Sequence, residues 1–100
     1  MLLKDKVIII SGIGPGLGVK LAIEAAREGA RVVIAARTQA SLDDAEARML
    51  EVAPQCAVLK QSTDITVPDQ CQGLAQRALE RFGRIDGLVN SAFVHGGPSQ

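Results

Sequence analysis

The chain has 100 residues, of which 47% are hydrophobic, and its 11 basic and 11 acidic residues give a formal net charge of zero. This length suits one small domain, and the composition excludes an intrinsically disordered chain. Zero net charge argues against nucleic acid or an acidic membrane as partner, no apolar run approaches a membrane span, and a cytoplasmic protein is the default expectation.

Strand-like and helix-like segments alternate along the chain. The β-branched run Val7–Ile10 predicts a buried strand, and the segment from about Gly16 to Arg27 predicts an amphipathic helix that ends at Gly29. The further predicted elements are a strand at Arg31–Ala35, a helix over about Leu42–Val52, a strand at Ala57–Lys60, a helix that ends near Phe82, and a strand at Gly87–Asn90.

Helix ends and helix faces can also be predicted from the pattern. Ser41 and Asp44 have the spacing of a capping box, and Thr66 is placed to cap the third helix. That helix has four apolar residues that can share an inner face, namely Leu74, Ala78, Leu79 and Phe82.

This order of elements, βαβαβαβ with a helix between successive strands, predicts parallel pairing with right-handed crossovers. The predicted fold class is therefore α/β, a partial Rossmann-type doubly wound parallel sheet with strand order 3-2-1-4. We see no domain boundary, so residues 1–100 are predicted to form the N-terminal portion of one such domain.

The turn between the first strand and the first helix is rich in glycine. It consists of Ser11, Gly12, Ile13, Gly14, Pro15, Gly16, Leu17 and Gly18. Without Cβ atoms at its glycines, backbone amides can approach a pyrophosphate, and the positive end of the next helix faces the negative charge. The turn predicts nucleotide binding, with a purely structural turn as the alternative.

Four motifs resemble those of the short-chain dehydrogenase/reductase family. The spacing Ser11-Gly12-x-x-x-Gly16-x-Gly18 is similar to the family's T-G-x-x-x-G-x-G turn, with Ser11 in place of Thr. Asp64-Ile65-Thr66 resembles its adenine-contacting D-[VI]-T, and Phe82–Asn90 resembles its approach to the fourth strand. Asn90-Ser91-Ala92-Phe93 matches its N-N-A-G at the first and third positions.

The resemblance implies an NAD(P)-dependent oxidoreductase that transfers hydride between a nicotinamide cofactor and a small-molecule alcohol or ketone. Full-length members often form homo-oligomers, so one is expected here. The implied cofactor-binding residues are Ser11, Gly12, Gly14, Pro15, Gly16, Leu17, Gly18, Arg37, Asp64, Ile65, Asn90, Ser91 and Ala92.

The end of the second strand bears on the choice of cofactor. Ala36 stands where NAD-type members carry Asp, and Arg37 follows with donors suited to a 2′-phosphate. The resemblance therefore favours NADP(H), with NAD(H) possible. The alternative is a solvated surface Arg37, and Pro15 stands where many NADP-type members have a basic residue.

Some residues have a structural interpretation beside the functional one. Asp64 either accepts a hydrogen bond from the adenine amino group or forms a turn before Thr66. Asn90 either lines the ribose side of the cofactor or simply ends a strand. Phe93 either shapes substrate access or covers core, and His95 is expected to be solvent-exposed.

Cys56 and Cys71 are expected to be reduced structural thiols, because their spacing supports neither a disulfide nor a metal site.

The family's catalytic Tyr-x-x-x-Lys pair has no counterpart here, because the chain contains no Tyr. No catalytic residue is predicted, and we expect a fragment that is inactive alone. The alternative is a non-catalytic nucleotide-binding or regulatory module that ends near Gln100. A methyltransferase of similar topology is disfavoured, because Ala36-Arg37 replaces the acid such enzymes usually place there.

Overall fold

The computed structural model describes residues 3–12 and 17–90, with only the backbone of Leu17. In chain order its elements are β1 (Val7–Ser11), α1 (Leu17–Arg27), β2 (Arg31–Ala36), α2 (Gln39–Val52), β3 (Val58–Ser62), α3 (Pro68–Phe82) and β4 (Gly87–Asn90).

The four strands form one parallel sheet in the order β3-β2-β1-β4. The central strand β1 pairs with both β2 and β4, so that Ile9 lies beside Val33 on one side and Leu88 on the other. The predicted α/β class and the strand order 3-2-1-4 are confirmed. Because all three pairings are parallel, the carboxyl ends of the four strands lie at the same edge of the sheet.

The two faces of the sheet are covered by different helices. Ile10 and Ile34 pack with buried residues of α1 and α2, including Ala22 and Met49. The opposite face, which includes Ile9, packs against α3. Alternate residues of a strand point to opposite faces, which is why neighbours Ile9 and Ile10 enter different clusters. None of the described helices is long and apolar enough to cross a membrane.

Helix α1 ends at Arg27, just before Gly29, as the sequence predicts. Gly29 has a φ of 91°. Its N–H donates to the Ala26 carbonyl at 3.1 Å, and the Ala30 N–H donates to the Ala25 carbonyl at 3.1 Å. This pair of bonds is a Schellman motif, and the left-handed backbone that it requires suits a residue without a Cβ.

Helix α2 begins three residues earlier than predicted, at Gln39 rather than Leu42. The predicted cap at Ser41 is wrong because Ser41 lies inside the first turn. There its hydroxyl accepts a hydrogen bond from the Thr38 hydroxyl at 2.8 Å, while Thr38 occupies the N-cap position without a side-chain cap bond. The Gln39 amide also donates to Asp43 at 3.0 Å, an i,i+4 pair that supports the early start.

Helix α3 also differs from the prediction at its start and on its face. Its N-cap is Val67, with Pro68 as the first helical residue, so Thr66 does not cap it. Leu74 and Ala78 are buried, whereas Leu79 is 44% exposed. Leu79 lies about 100° around the helix from Ala78, which takes it off the narrow buried stripe. Phe82 packs, partly buried, at the end of that stripe.

Strand β3 runs one to two residues later than predicted, over Val58–Ser62.

Candidate functional site

The predicted site residues that the structure describes lie together at the carboxyl edge of the sheet. Ser11 and Asn90 are the last residues of β1 and β4, and they are paired in the sheet register. Arg37 directly follows β2, and Asp64 comes two residues after β3. In an open parallel α/β sheet, this edge is where ligands bind.

The side chains of Ser11 and Asn90 contact each other. Ser11 is 3% exposed, and its hydroxyl donates to the Asn90 Oδ1 at 3.3 Å. The Val89 carbonyl lies 3.5 Å from the same hydroxyl. Ser11 thus orients the Asn90 amide at the end of the two strands, where the side chain remains exposed.

Gly12 begins the glycine-rich turn with a backbone that requires glycine. Its φ is 81°, in the left-handed region, and its N–H donates to the Ala35 carbonyl at 2.9 Å. The chain thereby leaves β1 while still bound to β2. Helix α1 begins at Leu17, with Gly18 buried in its first turn, so its amino terminus lies at this edge of the sheet.

The end of β2 presents an arginine whose backbone is fixed. The Thr63 N–H donates to the Ala36 carbonyl at 2.8 Å, and the Ser62 hydroxyl donates to the Arg37 carbonyl at 3.3 Å. The Arg37 side chain is exposed and makes no hydrogen bond or ion pair with any described residue. Its guanidinium is therefore available to an anion at this edge.

Asp64 sits in a turn closed by its own carboxylate. The Thr66 N–H and hydroxyl both donate to the Asp64 Oδ1, at 2.9 and 2.6 Å. The Asp64 N–H in turn donates to the Gln70 Oε1 at 2.7 Å, which ties the turn to α3. Asp64 therefore forms the turn before Thr66, which is one of the two roles that the sequence offers for it.

The bonds from Thr66 hold the pKa of the Asp64 carboxyl below its ordinary value, and the nearby positive charge of Arg37 contributes less. Asp64 is accordingly ionised at neutral pH. Its second oxygen, Oδ2, receives no hydrogen bond from the described part of the chain, so the turn leaves one acceptor for a ligand.

A small cavity of about 200 Å³ adjoins this edge on the α3 face. Ser11, Asn90 and Ile65 contribute to its wall, together with apolar residues of β1, α3 and β4. Cys71 also lines it, and its thiol donates to the Ile65 carbonyl at 3.4 Å. Cys56 lies elsewhere, beside Ala30, and burial raises the pKa of its thiol. Both thiols are free in the described structure.

Three polar residues that support the site were not predicted from the sequence. Ser62 donates to the Arg37 carbonyl, and Thr63 donates through its N–H to the carbonyl of the preceding residue, Ala36. Gln70 accepts from the Asp64 N–H and so fixes the turn. Their only signal in the sequence is position: Ser62 and Thr63 lie at the end of the third strand, and Gln70 lies in the first turn of the helix that follows. The remaining predicted residues lie outside the described part of the chain: Gly14, Pro15, Gly16, Ser91, Ala92, Phe93 and His95.

Comparison with known proteins identifies the family. The chain matches the short chain dehydrogenase family model over residues 6–100, and it belongs to that family. Levodione reductase of Leifsonia aquatica is 37% identical over 92 residues, which cover 92% of this chain and 34% of that protein. The chain thus spans about a third of the length of this relative.

Solved structures of family members share the fold. Levodione reductase superposes with a TM-score of 0.84 at 36% identity, over 86% of this chain and 33% of that one. A variant of actinorhodin polyketide ketoreductase with NADPH gives 0.83 at 27% identity, over 93% and 35%. NADH-dependent reductase A1-R′ complexed with NAD gives 0.77 at 35% identity, over 88% and 36%.

Proposed function

We propose that this chain is the amino-terminal, cofactor-binding part of an NAD(P)-dependent oxidoreductase that acts on a small-molecule alcohol or ketone. The observation that carries the proposal is the convergence of Gly12, Arg37, Asp64 and Asn90 at one edge of the sheet, beside the amino terminus of α1. Two of the structurally similar relatives are complexes with NADPH and NAD, which supports a nicotinamide dinucleotide as ligand.

The chemistry of the edge fits a dinucleotide. Backbone amides of the Gly12–Gly18 turn and the α1 amino terminus would hold the phosphates. Asp64 is ionised, and its Oδ2 would be available to the adenine amino group. Ile65 would contribute to the same site. Asn90, with Ser91 and Ala92, would line the ribose side of the cofactor. When bound, the nicotinamide supplies or accepts the hydride.

Among the nicotinamide dinucleotides, we expect NADP(H) to bind more tightly than NAD(H). Ala36 puts no carboxylate at the end of β2 to repel a 2′-phosphate. Arg37 offers a guanidinium that has no partner in the described chain. No neighbouring carboxylate therefore competes with the phosphate for its donors.

Catalysis requires residues beyond those of this chain. It contains no Tyr to exchange a proton with the substrate oxygen. The family resemblance assigns that role to a Tyr-x-x-x-Lys pair, which would lie in the remaining two thirds of a protein as long as levodione reductase. The 100 residues alone are therefore expected to be inactive. A homo-oligomer and a cytoplasmic location stay predictions.

The cofactor assignment is tested by Arg37→Ala in the protein encoded by the whole reading frame. We expect the unmodified protein to bind NADPH more tightly than NADH in a calorimetric titration. Loss of charge-assisted bonds worth about 1.5–3 kcal/mol should weaken NADPH binding by roughly 10- to 100-fold and leave NADH almost unchanged. Arg48→Ala is the control, because Arg48 is another exposed arginine and lies on α2, where it pairs with Asp44. Equal affinities for the two cofactors in the unmodified protein would contradict the role of Arg37.

The expectation that the 100 residues are inactive alone is tested separately, by assaying them with carbonyl substrates. Turnover of any carbonyl substrate would contradict it.

A further inference from the structure

Thr66 holds one oxygen of Asp64 with two hydrogen bonds. The Thr66 hydroxyl lies 2.6 Å and its backbone N–H 2.9 Å from the same atom, Oδ1. A bond from Gln70 fixes the Asp64 backbone from the other side. Thr66 is not needed for the helix that follows, since Val67 is the N-cap of α3. Its hydroxyl therefore acts on the Asp64 carboxylate alone.

Asp64 and Arg37 follow two neighbouring strands, β3 and β2. Ala36 pairs with Ser62 in the register of β2 and β3, and the Thr63 N–H continues this pairing at 2.8 Å. Arg37 and Asp64 thus leave the sheet side by side, with opposite charges. The charge of Arg37 reaches the Asp64 carboxyl, yet no ion pair joins them within 4.0 Å.

We propose that Thr66 is a positioning residue that holds the Asp64 carboxylate away from Arg37 and so keeps the Arg37 guanidinium available to a 2′-phosphate. The inference rests on the proposed function, since it concerns the choice between NADP(H) and NAD(H). Without the hydroxyl bond, the carboxylate can turn toward the arginine. An Asp64–Arg37 ion pair then competes with the phosphate for the same donors.

The test compares two fragments of the cofactor, 2′,5′-ADP and 5′-AMP, by calorimetric titration of the protein encoded by the whole reading frame. The measured quantity is the ratio of their dissociation constants, which isolates the 2′-phosphate. An exposed ion pair is worth up to about 1 kcal/mol, so Thr66→Val should reduce the preference for 2′,5′-ADP by about two- to five-fold. Thr66→Ser keeps the hydroxyl and should retain the preference.

A second variant shows whether the effect passes through Asp64. Asp64→Asn retains an oxygen that accepts the bonds from Thr66 but removes the charge that would pair with Arg37. In that background, adding Thr66→Val should leave the ratio unchanged. Thr66 and Asp64 lie in an exposed turn, and thermal unfolding of each variant shows whether it is folded.

Each result has a distinct meaning. If Thr66→Val weakens both fragments equally, Thr66 has only a structural role and the inference is wrong. If the loss of preference persists in the Asp64→Asn background, Asp64 is not the intermediary and the inference is again wrong. If neither fragment binds the unmodified protein, the proposed function itself fails, and this inference fails with it.

Discussion

Asp86 connects the start of the central strand β1 to the segment between α3 and β4. Its Oδ2 accepts the Val7 N–H at 2.8 Å, and its backbone N–H donates to the Val7 carbonyl at 2.8 Å. Its Oδ1 accepts two bonds from Arg84, the shorter at 2.7 Å. One carboxylate therefore fixes both the first residue of β1 and the approach to β4.

These contacts make the stability of the protein depend on the charge of Asp86. The pKa of its carboxyl is lowered, first by the Arg84 bond and then by the Val7 N–H. A depressed folded-state pKa stabilises the native protein above the unfolded value of about 3.9, and this contribution is lost as the pH falls through the folded pKa. Asp86→Asn should therefore lower the melting temperature at pH 7, and the deficit should shrink below about pH 4.

Asp44→Asn is the matched control for Asp86→Asn. The Asp44 carboxylate also accepts a hydrogen bond from an arginine, Arg48. Both side chains lie on α2, however, and both are more than half exposed. Its substitution should change the melting temperature little at either pH. A deficit for Asp86→Asn that is constant between pH 7 and pH 3 would contradict the role of the charge.

At the scale of one element, α3 has one glycine in its interior and another at its C-cap, and the two differ in backbone conformation. Gly73 lies in the helix interior, where a Cβ would meet no atom within 4 Å. Gly83 ends the helix with a φ of 79°, and its N–H donates to the Leu79 carbonyl at 2.8 Å. Space is available at both positions, so backbone conformation alone distinguishes them.

The same substitution should consequently have opposite effects in one helix. Gly73→Ala should stabilise the protein by about 0.5–1 kcal/mol, because alanine loses less entropy in a helix. Gly83→Ala should destabilise it by about 1–2 kcal/mol, because a Cβ disfavours the left-handed conformation. Urea unfolding of the purified variants measures both changes. Effects of the same sign would show that the φ of Gly83 does not control this helix end.

The elements could be predicted more securely than their ends. Alternating β-branched runs and helical stripes predict four strands and three helices in the observed order. Gly29 ends α1 as expected, and α3 ends at Phe82 as expected. Thr66 and Ser41 were misassigned because a hydroxyl next to a helix start has several possible acceptors. Only the folded chain decides among them: Thr66 donates to Asp64, and Ser41 accepts from Thr38.

The site was predicted to the same partial extent. Arg37 and Asp64 could be placed at the carboxyl edge because each follows a strand in the sequence. Contacts across this edge, such as that from Ser62 at the end of β3 to the Arg37 carbonyl, join residues 25 positions apart. Such contacts depend on strand register, which no local pattern of residues reveals.

At the scale of the whole molecule, the two faces of the sheet are unequally covered. The face under α1 and α2 has a large continuous cluster that includes the fully buried Leu42 and Met49. The face under α3 has a smaller cluster, and the exposed Leu88 of β4 lies at its border on the side away from β2. More apolar side chains of the described chain are therefore buried on the first face than on the second.

The burial of a leucine predicts what its removal costs. Leu42→Ala should destabilise the protein by about 2–5 kcal/mol, because it leaves a cavity beneath α2. Leu79→Ala, on the exposed side of α3, should change the free energy of unfolding by within about 0.5 kcal/mol. Chemical denaturation compares the two. A similar large loss at Leu79 would mean that a contact beyond the described residues covers it.

The Ser11–Asn90 hydrogen bond has a consequence for the timing of folding. It joins side chains 79 positions apart, and the β1–β4 pairing beneath it spans the same interval. Closing so long a segment costs entropy that is recovered only after the intervening helices and strands have packed. During synthesis the glycine-rich turn leaves the ribosome early, but its partner strand emerges some 80 residues later. A nascent chain thus completes the edge that we propose binds a nucleotide as a late event, and the nucleotide would stabilise only chains that had passed that point.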